Sequence, residues 1–345
     1  MADANAPILG WPAERKAGWL PGDVDQAALR HRVTDEERDA MFALADAWRA
    51  TGRPITEMTR ADFSHPAIDD MLARRLRLLK EGPGLVLISG LIAPGRTLDD
   101  LRRLYWGIGT HFGIAVSQNR QGERLGEVRV RGDTVARRAY GHSGQIILHT
   151  DRIDMLSLYC VRKPLSGGAN IFVSGLAIWD AVERERPDLF ALLARGFRQN
   201  RLGEHILPGE ESTSYRVPVF GSQNGLRSVL FSGNATLDHQ RRFFADELTA
   251  KDEEALTFLA EVRDRPEFQL RLTLELGEAV FLNNHEILHS REAFTDGEAE
   301  EQKRLLLRFW LQGEPVRPKP ETMSVMRNRS GLQGIDPRPA EPVPA

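Results

Sequence analysis

One cysteine in 345 residues rules out an intramolecular disulfide and any zinc site built from several thiolates. That residue, Cys160, lies in the apolar run from Met155 to Val161 and reads as a buried, inert thiol. An excess of one charge is missing too. The 46 Lys and Arg residues face 49 Asp and Glu, giving a formal net charge of -3, and they are scattered along the chain. Nucleic acid is therefore not an expected partner, because phosphate binding needs a concentrated basic face. Long hydrophobic runs are also lacking. No stretch approaches the roughly 20 apolar residues of a membrane helix, and MADANAPILGWPAERK has no apolar leader core, so no membrane partner and a cytoplasmic location are expected. Neither an internal repeat nor a GxGxxG or GxxxxGK[ST] phosphate loop occurs, and alternating βαβα order is absent.

What remains is ordinary globular composition, 41% hydrophobic and 28% charged, with enough apolar side chain for a sizeable core. Thr34-Asp35-Glu36-Glu37 has capping-box spacing, and Met41, Leu44, Ala45 and Trp48 follow at helical intervals. A second helix is expected from about Ser64 to Glu81, and Thr97-x-x-Asp100 opens a third through about Trp106. Strands are expected at Leu85 to Ile88, Ile146 to His149, Met155 to Val161, Ala279 to Leu282 and Leu305 to Leu311. Phe268, Leu270, Leu272 and Leu274 alternate with polar residues and suggest another, half-buried strand. Helical segments at Leu176 to Glu185, Pro187 to Ala194 and Ala250 to Val262 separate the strand groups. The expected fold is α+β to mainly β, a double-stranded β-helix or jelly roll with flanking N-terminal and inserted helices. We expect a single domain over 1–345. A helical extension over 1–84 packs on a core over 85–311, which carries an insertion at about 175–265. A C-terminal tail follows over 313–345, ending in the Pro-rich PRPAEPVPA.

His149 and Asp151 stand at i and i+2, which in extended backbone places them on one side. A third ligand would complete two histidines and a carboxylate on one face of Fe(II), leaving positions open for a bidentate 2-oxo acid and O2. Downstream, His285 and His289 compete for that role. With Glu286 they imitate the zinc-protease HExxH motif, but Asn283-Asn284 and the strand-like run before them argue against the long helix that motif needs. Farther on, Arg304, Leu306, Arg308 and Trp310 share one face of a strand. Two buried arginines need anionic partners, and a guanidinium grips a carboxylate with two parallel bonds.

LHTD at 148–151, SGGANIF at 166–172, GEAVFLNNHEILHSREAF at 277–294 and KRLLLRFWL at 303–311 resemble, in this order, the taurine dioxygenase/TfdA family of Fe(II)/2-oxoglutarate-dependent oxygenases, which includes clavaminate synthase relatives. The resemblance runs from about Leu85 to Leu311. It implies His149, Asp151 and His289 as iron ligands and Arg304 as the 2-oxoglutarate arginine, with His285 a structural loop residue. Asn170 stands where the family commonly has a Thr that bonds the same cosubstrate carboxylate, and an amide can still donate that bond. Arg308 matches the arginine that holds a substrate acid, and Gln118 and Gln145 match positions lining the substrate pocket. Tyr140 and His142, just upstream, are more readily structural. The implied cofactors are Fe(II), 2-oxoglutarate and O2. The implied reaction hydroxylates an unactivated C-H of a small, carboxylate-bearing molecule, such as an amino acid or natural-product intermediate, with release of succinate and CO2. The carboxylate at Asp151 favours hydroxylation over halogenation. Alternatives are a sulfonate or betaine-type acid dioxygenase, a zinc or manganese hydrolase or isomerase, and a non-catalytic small-acid binding protein. Self-association is left open.

Overall fold

A period of two sorts the side chains of the longest C-terminal strand, Leu305–Gln312, onto two faces. Leu305, Leu307, Phe309 and Leu311 enter a core shared with three helices, Asp35–Ala50, Pro66–Glu81 and Leu98–Thr110, whereas Leu306 and Trp310 enter a different one. The same split recurs along Leu85–Ser89 and Ala279–Asn283. Val86, Ile88, Ala279 and Phe281 face the helices; Leu85, Leu87, Val280 and Leu282 face the other way. This computed structural model describes residues 17–130, 141–201, 211–232, 235–328 and 330–337.

The helices start where their caps dictate. Thr34 Oγ1 accepts from Glu37 N at 3.1 Å, and Glu37 Oε2 accepts in return from Thr34 N at 2.8 Å, satisfying two end groups that have no partner within the helix. Thr97 with Asp100 and Thr249 with Asp252 repeat the device.

Seven strands form the larger sheet. Along it run Arg30–Arg32, Leu85–Ser89, Ala279–Asn283, Met155–Arg162, Leu305–Gln312 and Ile114–Ala115, with Leu125–Val128 also paired to Leu305–Gln312. Only the first pair is parallel. A second, antiparallel sheet has the order Leu270–Leu272, Asn170–Ser174, Ile287–Arg291, Ile146–His149. Its Phe172, Leu270 and Ile287 meet the inner face of the larger sheet. Its outer side, through Leu148, Ile171, Val173 and Leu288, packs on the inserted helices Gly175–Glu185, Pro187–Arg195 and Ala250–Arg263. The result is a mixed helix and sheet architecture of four layers, helix, sheet, sheet, helix, with the polar residues of interest between the two sheets.

Two expectations are corrected. Burial alternates from Phe268 to Leu274, but only Leu270–Leu272 is strand, because Pro266–Phe268 turns as a 3-10 helix and the partner Asn170–Phe172 offers three pairing residues. The C-terminal segment is not a loose tail over 313–337. Arg317, Lys319, Met323, Val325, Met326, Gln333 and Ile335 are all buried, and Ile335 N donates to Ser117 O at 3.0 Å. Residues 338–345, with most of the Pro-rich end, lie outside the described residues. Among the described residues no helix is long and apolar enough to cross a membrane.

Candidate functional site

Strand pairing brings the first and third expected ligands together. His289 pairs directly with His149 across the antiparallel Ile287–Arg291 and Ile146–His149 strands, and paired residues point to the same side. Their ring centroids are 4.4 Å apart. The backbone leaves the strand after His149, and the loop returns Asp151 Oδ1 to within 3.7 Å of His149 Nε2. Ligand atoms of His149, Asp151 and His289 all lie within 4.8 Å of one another. They form the one group of this kind among the described residues. His285 does not join them. It is buried, and its Nε2 meets Asp154 Oδ1 at 3.3 Å.

The surroundings set the charge of each member. His149 Nδ1 donates to Ile147 O at 2.8 Å, which turns Nε2 toward Asp151. Asp151 Oδ2 accepts from Trp310 Nε1 at 2.9 Å. Burial disfavours the Asp151 carboxylate, but His289, Arg308, His149 and the Trp310 N-H outweigh it and hold the group below the usual carboxylate range. The His289 imidazole is pushed down to about 3, first by burial and then by neighbouring His149, and its Nδ1 is buried without a partner. Two imidazoles and one carboxylate suit a divalent metal.

Arg304 and Arg308 do share the inner face with Leu306 and Trp310. Arg304 lines a cavity of about 200 Å³ together with Cys160, Lys163, Gly168, Asn170 and Thr273. Its Nη1 is buried without a partner, and burial pushes the guanidinium down to about 10, opposed by Cys160 and Asp296. Glycine is required in this wall. A Cβ on Gly167 would come 2.4 Å from Ala293 O, and both Gly167 and Gly168 have positive φ. Arg308 Nε donates to Gln118 Oε1 at 2.6 Å, while Gln118 Nε2 donates to Arg308 O at 2.7 Å and Arg124 O at 3.0 Å. Gln118 is thus a bracket for Arg308, with its amide already engaged. Gln145 and His142 are exposed just before the Ile146–His149 strand, and Tyr140 lies outside the described residues.

The model of the family described as "Taurine catabolism dioxygenase TauD, TfdA family" matches residues 51–310. The chain belongs to this family. FR-33289 synthase of Streptomyces rubellomurinus (strain ATCC 31215) is 27% identical over 337 residues, covering 93% of this chain and 96% of that protein. Among solved structures, asparagine oxygenase in complex with Fe(II), 3-hydroxyasparagine and succinate superposes with a TM-score of 0.63 at 16% identity, over 82% of this chain and 93% of that one. The non-heme iron oxygenase OrfP in complex with Fe and alpha-ketoglutaric acid also gives a TM-score of 0.63 at 16% identity, over 89% and 99%.

Three side chains of this TauD/TfdA family member make contacts at the site that the sequence does not reveal. Asn284, fully buried, donates from Nδ2 to Asp151 O at 2.6 Å and accepts from Asp151 N at 3.2 Å, fixing the loop that carries the carboxylate. In the sequence it was only a polar break. Trp310 was placed on the correct face, but no sequence signal named Asp151 as its partner. Arg291, two residues past His289 on the same face, donates from Nη2 to His142 O at 2.7 Å and also to Gly144 O. It therefore ties the loop before the His149 strand to the His289 strand. Burial, then Arg304, pushes it down to about 10.

His285 gives the TauD/TfdA family member an acid-sensitive element. Burial, with Lys319 and Arg317, pushes its imidazole down to about 4 against the pull of Asp154. The unfolded histidine takes its proton near pH 6.5, whereas the folded one resists until about pH 4, so stability falls as pH drops through that window, by up to roughly 3 kcal/mol. Asp154 is held well below the usual carboxylate range by His285 and Lys319 against its burial, so its own contribution persists there. Thermal melts between pH 7 and 4 should show the decline, and His285→Asn should flatten it. An identical slope in the variant would refute the assignment.

Proposed function

We propose that this chain is an Fe(II)- and 2-oxoglutarate-dependent dioxygenase. It hydroxylates an unactivated C-H of a small, carboxylate-bearing molecule and releases succinate and CO2. The observation that carries this reading is the convergence of His149, Asp151 and His289 within 4.8 Å on the inner face of the sheets. Those three would hold the iron. Arg304 and Asn170, which line one cavity, would hold the distal carboxylate of 2-oxoglutarate, and Arg308 the acid group of the substrate. We read the two facing sheets, between which the chain passes repeatedly, as a double-stranded β-helix.

Bound iron with the 2-oxo acid supplies O2 activation and oxidation of the C-H bond. The chain supplies charge and position. Asp151 stays ionised because Trp310 donates to it and the Arg308 guanidinium lies nearby, and Asn284 fixes its backbone. Arg304, desolvated and missing a partner on Nη1, offers an anion a stronger bond than an exposed arginine would. Arg308 is aimed by Gln118, so a substrate acid would be held in one orientation and a particular C-H presented to the centre. Solved relatives hold 3-hydroxyasparagine and, in OrfP, 3-hydroxyarginine, which favours an amino acid or amino-acid-derived natural product.

Anaerobic addition of Fe(II) and 2-oxoglutarate should produce a visible charge-transfer band. Arg304→Met should raise the 2-oxoglutarate concentration for half-maximal band by roughly 10²-fold, the cost of losing a charge-assisted, bidentate contact. No band in folded wild-type protein would overturn the reading. Mass spectrometry after screening amino and organic acids would name the product.

A further inference from the structure

Directly after Asp151 comes a further buried cation that the reading above does not use. Thr150 N donates to Phe231 O at 2.8 Å and Phe231 N returns a bond to Thr150 Oγ1 at 3.0 Å, stitching the metal loop to the insertion. Arg152, 8% exposed, lies in this seam. Its Nη2 reaches Ser232 Oγ only at 3.5 Å, the outer limit of a hydrogen bond, and its Nη1 is buried with no partner. The adjacent Asp151 carboxylate already accepts from Trp310 Nε1 at 2.9 Å. His239, on the helix Ala235–Phe243 just after Ser232, is close enough to feel the charge of Arg152. It is 4% exposed, with Nε2 2.9 Å from Ser212 Oγ and Nδ1 buried without a partner. Burial, then Arg152, lowers its pKa.

A desolvated guanidinium short of acceptors is costly unless something else supplies them. Ser232 Oγ donates only weakly, to Gln199 Oε1 at 3.5 Å, and His239 Nδ1 has no partner, so a group with several acceptor oxygens would draw on both together with Arg152. We propose that Arg152, flanked by Ser232 and His239, is an oxyanion subsite for an acidic group of the substrate, separate from the group at Arg308. Substrates then carry two anionic groups: a second carboxylate, or a phosphate-, phosphonate- or sulfonate-type oxyanion. Arg152 follows Asp151 directly in the chain, so the second anionic group would be held beside the loop that carries that carboxylate. This deepens the oxygenase reading and rests on it for the word substrate, but oxyanion binding at Arg152 is measurable without iron.

The test uses the full chain without metal and follows its melting temperature against inorganic phosphate, methylphosphonate, methanesulfonate and acetate. Wild type and Arg304→Met should bind at least one of these alike. Arg152→Met should weaken that binding at least tenfold, and Ser232→Ala severalfold. In anion-free buffer Arg152→Met should melt no lower than wild type, because it removes an uncompensated buried charge. With Fe(II) and 2-oxoglutarate it should keep the charge-transfer band at unchanged cosubstrate concentration. Preference for acetate marks the second group as a carboxylate; preference for the tetrahedral anions marks it as a phosphorus or sulfur oxyacid. The proposal is overturned if Arg152→Met binds every probe like wild type, if Arg304→Met alone abolishes binding, or if Arg152→Met fails to fold. Loss of oxyanion binding in Arg152→Met, with no charge-transfer band even in wild type, would leave the subsite standing and remove the oxygenase reading.

Discussion

Alanine at Asp151 should abolish substrate-dependent succinate formation, with a loss of at least 10³-fold in turnover, while the protein still folds. The carboxylate is the only anionic member of the three-residue group, and two imidazoles alone hold a divalent ion far more weakly. Its removal also strips Trp310 Nε1 of an acceptor and leaves His289 and Arg308 facing each other without the intervening negative charge. His149→Ala and His289→Ala should behave alike. The folded core gives no reason for collapse in these variants, because the layers on either side are held by apolar packing that none of the three residues enters. Anaerobic Fe(II) titration and succinate quantified by mass spectrometry would separate lost metal from lost fold. Turnover undiminished in Asp151→Ala would refute its role as a ligand.

The site was legible where chemistry is encoded by short spacing. His149 and Asp151 are two apart, and the parity of Arg304, Leu306, Arg308 and Trp310 follows from the period of an extended chain, so both were readable before any tertiary contact. The choice of His289 over His285 required more, since i, i+4 spacing alone allows either; the resemblance supplied it, and pairing with His149 brings His289 beside the other two. The bracket from Gln118 to Arg308 spans 190 positions and the seam between Thr150 and Phe231 spans 81. Contacts of that range leave no periodic mark. Asn284 looked like a break because its role is a side-chain bond to a backbone 133 positions away. Residues 313–337 looked like a tail because their buried anchors, Arg317, Lys319, Met323, Val325, Met326, Gln333 and Ile335, mix polar and apolar side chains at irregular spacing and so show no helix or strand period.

Alanine at Asp154 should cost stability more than any substitution among the three clustered ligands, by roughly 3–5 kcal/mol, the range for breaking a buried ion pair from one side. This carboxylate is fully buried and receives five donors. Oδ1 accepts from Lys319 Nζ at 2.8 Å, Gln333 Nε2 at 2.8 Å and His285 Nε2 at 3.3 Å; Oδ2 accepts from Gly313 N at 3.0 Å and Arg317 N at 3.4 Å. Four of these five come from the segment after Leu305–Gln312, so the loss frees that segment and strands the Lys319 ammonium in the interior. Nearby, Arg317 Nη2 binds Glu286 Oε1 at 3.0 Å, and Asn284 N donates to Asp154 O at 2.9 Å. The loosened turn is therefore the one whose Asn284 side chain holds Asp151, so iron affinity should fall together with melting temperature. Thermal melts and limited proteolysis after residue 312 would measure both the stability and the release. Pairing Asp154→Leu with Lys319→Met should recover part of the loss, since the double variant leaves no unpaired charge behind. If the double variant melts as low as Asp154→Ala, the stranded ammonium is not the source of the cost, and the backbone donors at Gly313 and Arg317 carry it instead.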